Sequence, residues 1–147
     1  VDATPNPLQQ HQIEVRVRYQ ETDAQGRVHH ATYPNYFECA RVEMLRAAGI
    51  SYADLEQAGV FLVVTELGCR YLGGAVFDDV LRIDVQTTRA KGTRIEHRYT
   101  IRRQGEVLVE GHTIVACINT QGRPQPLPEF LRFTILQPAS DPAQERV

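Results

Sequence analysis

Polar and reactive residues crowd one stretch of this chain, Tyr19-Gln20-Glu21-Thr22-Asp23-Ala24-Gln25-Gly26-Arg27-Val28-His29-His30-Ala31-Thr32-Tyr33. It sets a carboxylate, Asp23, on a turn, a glycine three residues later, and the start of a helix soon after. The first amides of a helix lack intrahelical acceptors and lie at the positive end of its dipole. Such a terminus stabilises negative charge developing on a substrate oxygen. A carboxylate facing it could attack a carbonyl carbon or take a proton from water. Aspartate also bonds the amides of its own turn, and spacing alone leaves both roles open for Asp23.

Other chemistries find little footing. Cys39, Cys69 and Cys117 form no CxxC pair, and there is no HExxH and no acidic calcium loop, so no metal is expected. The absence of Gly-x-Ser-x-Gly removes the serine-hydrolase elbow. His97 and His112 have no partners at ligand spacing and are expected to be packed or solvated. A formal charge of −2 and a pI near 6.2 argue against a nucleic-acid or membrane-surface module. Apart from Lys91 every basic residue is an arginine, which suits forked grip on anions. An odd set of thiols, no secretory pattern in VDATPNPLQQHQ and no apolar run long enough for a bilayer together predict a reduced, cytoplasmic setting without membrane insertion.

The elements that must position Asp23 follow from periodicity. Ile13, Val15 and Val17 alternate with charged residues, as in a half-buried strand. Tyr33, Phe37, Ala40, Met44 or Leu45, and Ala48 recur at helical spacing, with Pro34 in the first turn and Gly49 as the stop. Ser51 caps a short helix that Gly59 closes. Phe61–Tyr71, Val80–Thr87, Ile95–Ile101 and Val107–Ile118 read as strands, with Gln104–Gly105 as a hairpin turn. Short connections between these four predict antiparallel neighbours in chain order. The expected class is α+β: a five-stranded antiparallel sheet wrapped around one long central helix. Residues 12–136 form the single domain, and 1–11 and 137–147 are expected to be tails. Two strand edges stay open, so a homodimer is the structural default.

The run Tyr19-x-x-x-Asp23-x-x-Gly26-x-Val28-x-His30-x-x-Tyr33-x-x-Tyr36-Phe37-Glu38-x-x-Arg41 resembles the hotdog-fold acyl-CoA thioesterases. The resemblance is strongest to the 4-hydroxybenzoyl-CoA thioesterase and YbgC-like branch, and extends more loosely over Ile13–Ile118. It implies that Asp23 is the catalytic carboxylate, that the His30 backbone N–H polarises the thioester carbonyl, and that Tyr19 matches the signature tyrosine. Ala24-Gln25 departs from the small pair common between Asp and Gly and is expected to tune the pocket mouth. The implied substrate is an acyl-CoA, or an acyl-carrier-protein thioester, and coenzyme A enters as part of that substrate rather than as a cofactor. The implied assembly is a homodimer or a dimer of dimers whose protomers build the site between them.

Substrate-binding candidates are Gly26, Tyr33, Val64, Glu66, Arg89, Lys91 and Arg94. Val64 and Glu66 belong to the strand, around Val63–Glu66, that would wall the acyl pocket from the second subunit. Arg89, Lys91 and Arg94 cluster at a turn and would clamp the nucleotide phosphates; the plainer account is a solvated charged turn. Glu38 is expected to pair with Arg41 or Arg16. Two further functions fit this architecture: a non-catalytic acyl-CoA-binding protein, and a hydratase or dehydratase that moves a proton beside the carbonyl.

Overall fold

Alternating apolar residues give five strands, and the helical stripe gives one long helix. The computed structural model describes residues 6–133. In chain order the elements are β1 (Gln10–Arg16), α1 (Tyr33–Ala47), α2 (Tyr52–Gln57), β2 (Phe61–Tyr71), β3 (Val80–Lys91), β4 (Arg94–Arg103) and β5 (Glu106–Ile118). Single 3-10 turns at Tyr19–Glu21 and His30–Thr32 precede α1, and another at Glu129–Leu131 follows the sheet. Pro34 lies in the first turn of α1, and Gly49 leaves the helix at φ 80°. The Ser51 hydroxyl accepts from the Asp54 amide at 3.3 Å, capping α2. Gln104 and Gly105 both have positive φ, 49° and 84°, as a tight two-residue hairpin requires.

All strand pairs are antiparallel, in the order β1-β3-β4-β5-β2. This bears out the α+β reading but corrects the expectation that the last four strands pair in chain order. β2 pairs with β5, at the edge remote from β1. The segment between β2 and β3 crosses the end of the sheet. Leu72 and Gly73 donate to the Leu108 carbonyl, the buried Ala75 accepts from Val28, and Val17 bonds both Asp78 and Asp79. Arg103 ties the crossing down through Asp79 at 2.9 Å and the Gly74 carbonyl at 3.2 Å. Burial works to raise the Asp79 carboxyl, but bonds from the Val76 amide and Arg103 outweigh it and hold it below the usual range. Periodicity could not show this path, because a crossing and a hairpin need similar lengths of chain.

Of the expected tail of residues 1–11, residues 6–11 are described, and part of them belongs to the fold. β1 begins at Gln10, and Leu8 is buried in the core because Thr87 fastens that stretch: its amide donates to the Gln9 carbonyl and its hydroxyl to the Leu8 carbonyl. At the other end Phe133 bridges to Ala90. Residues 134–136 and the expected tail 137–147 lie outside the described residues.

The inner face of the sheet closes on α1 through Tyr33, Tyr36, Phe37, Ala40, Met44 and Leu45. Phe37 is completely buried and stacks on Tyr99 with ring centroids 4.3 Å apart. Gly111 makes this approach possible: a Cβ there would stand 2.4 Å from Phe37 Cζ. Gly111→Ala should therefore lower the unfolding free energy by roughly 1–3 kcal/mol through overpacking. Adding Phe37→Leu, which removes the opposing ring atoms, should recover part of the loss from Gly111→Ala; urea titration of both variants checks this.

Candidate active site

The chain leaving β1 is folded into a narrow hairpin before α1. Thr22 and Val28 form an antiparallel bridge, Asp23 donates its amide to the Arg27 carbonyl, and His29 donates to the Glu21 carbonyl. Gly26, at φ 76°, donates to the Asp23 carbonyl and closes the tip in a conformation that favours glycine. Asp23 Oδ1 accepts the Gln25 amide at 2.8 Å, so the turn-bonding role foreseen as the plain alternative is present. That bond uses one oxygen. Oδ2 has no partner among the described residues, and the half-buried carboxylate stands at the tip of the hairpin.

The hairpin leads straight into the 3-10 turn His30–Thr32 and then α1. His30 is exposed, and its N–H donates to no acceptor among the described residues, as expected at a helical start. The next amide, of Ala31, is taken by His29 Nδ1 at 3.1 Å, and that of Thr32 by the His29 carbonyl. An unpaired oxygen acceptor and an unpaired amide donor thus flank the same short hairpin. Glu21 anchors it from below: Oε1 accepts from the Tyr36 hydroxyl at 3.0 Å and from the Arg18 amide at 2.8 Å. Burial first, then the Glu21 carboxylate, push the Tyr36 hydroxyl far up, so it remains a donor.

The other predicted residues separate into groups. Tyr19 is 77% exposed and rests its ring edge-on against Phe77, with no bond to Asp23. Tyr33 is buried and its hydroxyl accepts the Ala75 amide at 3.1 Å, joining α1 to the crossing segment. Val64 pairs with Val115 and so lies on the inner face of β2 together with Leu67 and Tyr71. All three are more than two-fifths exposed. They form an apolar strip that α1 does not cover.

Glu66 lies on the opposite face, 3.4 Å from His112 Nε2, and does not join that strip. His112 lies over Gly68, where a Cβ would meet the imidazole at 2.1 Å. Arg89, Lys91 and Arg94 are exposed around the β3–β4 turn, without an ion pair among the described residues. That turn is about 35 Å along β3 from the end beside the Asp23 hairpin. Within one chain these cations are far from Asp23. Neither expected partner of Glu38 is used: Arg41 bonds the Tyr99 hydroxyl and Arg16 bonds Asp78.

Sequence reasoning passed over Tyr71 and Glu21. Tyr71, the last residue of β2, donates its hydroxyl to the His30 carbonyl at 2.8 Å and meets the His30 ring edge-on. Its register opposite Val109 puts it on the inner face, which strand period alone could not join to a helix start forty-one residues earlier. No group of three or more His, Cys, Asp or Glu able to hold a metal occurs among the described residues. Nor is any helix among them long and apolar enough to cross a membrane.

Residues 17–135 match the model of the thioesterase-like superfamily. A relative from Escherichia coli O6:H1 named acyl-CoA thioester hydrolase YbgC is 35% identical over 119 residues, spanning 80% of this chain and 89% of its own. A crystal structure of a hypothetical protein from Thermus thermophilus superposes with TM-score 0.77 at 36% identity, covering 82% of this chain and 92% of that one. The crystal structure of a probable thioesterase from Bartonella henselae gives TM-score 0.78 at 31% identity, covering 81% and 99%.

Tyr71 makes the coupling of β2 to the helix start measurable. Burial of its hydroxyl, then the neighbouring Cys69 thiol, raise the phenol to about 12. A folded-state value above the unfolded one means the contribution is present below pH 10 and is lost as pH climbs through the folded value. Tyr71→Phe should cost about 1 kcal/mol at neutral pH, the usual net value of one hydrogen bond. Equal urea midpoints for the variant and the parent would show that the bond contributes nothing.

Proposed function

The chain belongs to the thioesterase-like superfamily and is a thioester hydrolase, and we propose that acyl-CoA esters are its substrates, with Asp23 the catalytic carboxylate and the His30 N–H the oxyanion donor. What supports this is the pairing of unused groups on one exposed hairpin: Asp23 Oδ2 on one side, the first amide of the helical start on the other. Hydrolysis adds water across the acyl carbon–sulfur bond, releasing a carboxylic acid and the coenzyme A thiol. Asp23 supplies the carboxylate that attacks the acyl carbon or takes the proton of the attacking water. As the carbonyl carbon becomes tetrahedral, its oxygen gains charge, and the His30 N–H receives it. One such donor is worth roughly 3 kcal/mol in the barrier. Gly26 shapes the loop, and Tyr33 and Tyr71 hold the helix start in place.

The acyl group needs a wall that one chain leaves open. The strip of Val64, Leu67 and Tyr71 lies on the edge strand β2, exposed and apolar, beside the His30 turn. Edge-to-edge pairing of β2 with a second copy would cover the strip and complete the pocket between protomers. The same assembly gives Arg89, Lys91 and Arg94 a route to the substrate's phosphates from a second chain, since their own Asp23 is too far away. Glu66, on the other face, has no part in this pocket. Cys39, Cys69 and Cys117 are free thiols, in keeping with a reducing cytoplasmic setting.

Asp23→Asn keeps the acceptor for the Gln25 amide and removes the charge, so turnover of acyl-CoA esters should fall 10²–10⁴-fold with folding intact. His30→Ala keeps the backbone donor and should lose far less. Thiol release from a panel of aliphatic and aromatic esters, followed with a chromogenic thiol reagent, measures both. An Asp23→Asn enzyme that turns over like the parent would remove the carboxylate from the mechanism. Arg89→Ala should raise KM several-fold for coenzyme A esters but not for short pantetheine esters, which lack the nucleotide; equal effects on both would leave the turn merely solvated.

A further inference from the structure

The other half of the molecule holds a second polar centre that the reaction above does not use. A cavity of about 30 Å³ lies between the C-terminal half of α1 and the inner face of the sheet. Leu8, Met44, Leu45, Ile95, Val115 and Leu131 supply apolar walls. Arg41, Tyr52, Thr87 and His97 also line it, and among the described residues no carboxylate does. None of its lining residues comes from the Asp23 hairpin or the first two turns of α1, where Tyr33, Tyr36, Phe37 and Ala40 are packed solid. It is therefore a separate compartment.

Among the described residues its polar groups include a cation and no anion. Thr87 spends its hydroxyl hydrogen on the Leu8 carbonyl at 2.6 Å. Arg41 donates from Nη1 to the Tyr99 hydroxyl at 3.0 Å, and that hydroxyl shares a hydrogen with Thr113 at 2.6 Å. Arg41, a partly buried permanent cation, has no ion pair among the described residues. His97 is 5% exposed, and its Nδ1 is sealed from solvent with no partner among the described residues. Burial, reinforced by the Arg41 charge, lowers this imidazole to about 3 and keeps it neutral. A neutral imidazole has one donor nitrogen and one acceptor nitrogen. Sealing a lone pair is more readily tolerated than sealing an N–H, which assigns the proton to Nε2. The cavity then offers N–H donors from a cation and from a neutral ring, set between apolar walls and partly open to solvent.

We propose that this cavity is a binding site for one compact monovalent anion, halide-sized or a small carboxylate, held by Arg41 and His97. Volume suits a small occupant: about 30 Å³ accepts one ion or one or two waters. Charge chooses between ion and water, because an anion neutralises Arg41 in a low-dielectric site whereas water leaves it uncompensated. The site would fasten the C-terminal half of α1 to the sheet without touching the Asp23 hairpin.

Bromide and formate serve as probes on the full chain. Crystals grown in sodium bromide should show an anomalous peak in the cavity within hydrogen-bonding reach of Arg41 and His97. In solution, 0.2 M bromide or formate should raise Tm by roughly 3 °C over the same concentration of isethionate, a bulkier anion that fits the small site poorly. Arg41→Gln should abolish that difference between salts, which controls for general salt effects. A rise with bromide alone identifies a halide site, and a rise with both identifies one that also admits a carboxylate. A cavity holding only water, or equal Tm values in all three salts, overturns the proposal, and the crystal arm does so without depending on any variant's folding.

Discussion

Everything in this molecule is referred to the contact of one aromatic ring with a strand position that has no side chain. Phe37 lies flat on Tyr99 and against Gly111, wholly out of solvent. Truncating a buried Phe typically costs 3–5 kcal/mol, a large share of the stability of a domain this size. The contact also sets where α1 runs relative to the sheet. Because the helix is rigid, fixing it at Phe37 fixes its first turn one helical turn earlier. The 3-10 turn that offers the His30 amide is positioned by the same packing.

From that anchor, polar ties spread to the hairpin. Tyr33 reaches the crossing segment, Tyr36 holds Glu21, and Tyr71 takes the His30 carbonyl from the neighbouring strand. Tyr33 and Tyr36 bury their rings in the core, Tyr71 lays a half-exposed ring edge-on against Tyr33, and each sets its hydroxyl on backbone or carboxylate. This leaves the hairpin tip exposed yet well held. Positional precision of that kind suits an oxyanion site, where donors must be in place before charge develops. The proposed chemistry sits at the rim of the fold and the stability in its centre, so substitution of loop residues such as Ala24 and Gln25 does not threaten the core.

The strands, the helix and the hairpin at Gln104–Gly105 were legible because each is a local pattern: a period of two, a period near 3.6, and residues able to take positive φ. The relation of Asp23, Gly26 and His30 was legible for the same reason, lying within one short stretch. What escaped was non-local. Val64 and Glu66 were grouped by nearness along the chain, yet the bulge after Val64 and the alternation of β2 send one to the apolar strip and the other to His112. Leu8 looked like part of a tail, because its burial depends on a bond from Thr87. The cavity around Arg41 and His97 draws on residues from Leu8 to Phe133 and carries no local mark.

The amino-acid order alone therefore determined which segments are strands or helix, where they break, and that a carboxylate precedes a helical start by a fixed few residues, since all of these depend on neighbours within a turn or two. Only the tertiary structure decided that β2 lies beside β5, that Tyr71 meets His30, and that Arg89, Lys91 and Arg94 stand at the far end of the sheet from their own Asp23. Those outcomes follow from how the sheet hides its apolar face around a single helix. That is a competition among whole arrangements, and no short window of residues can express it.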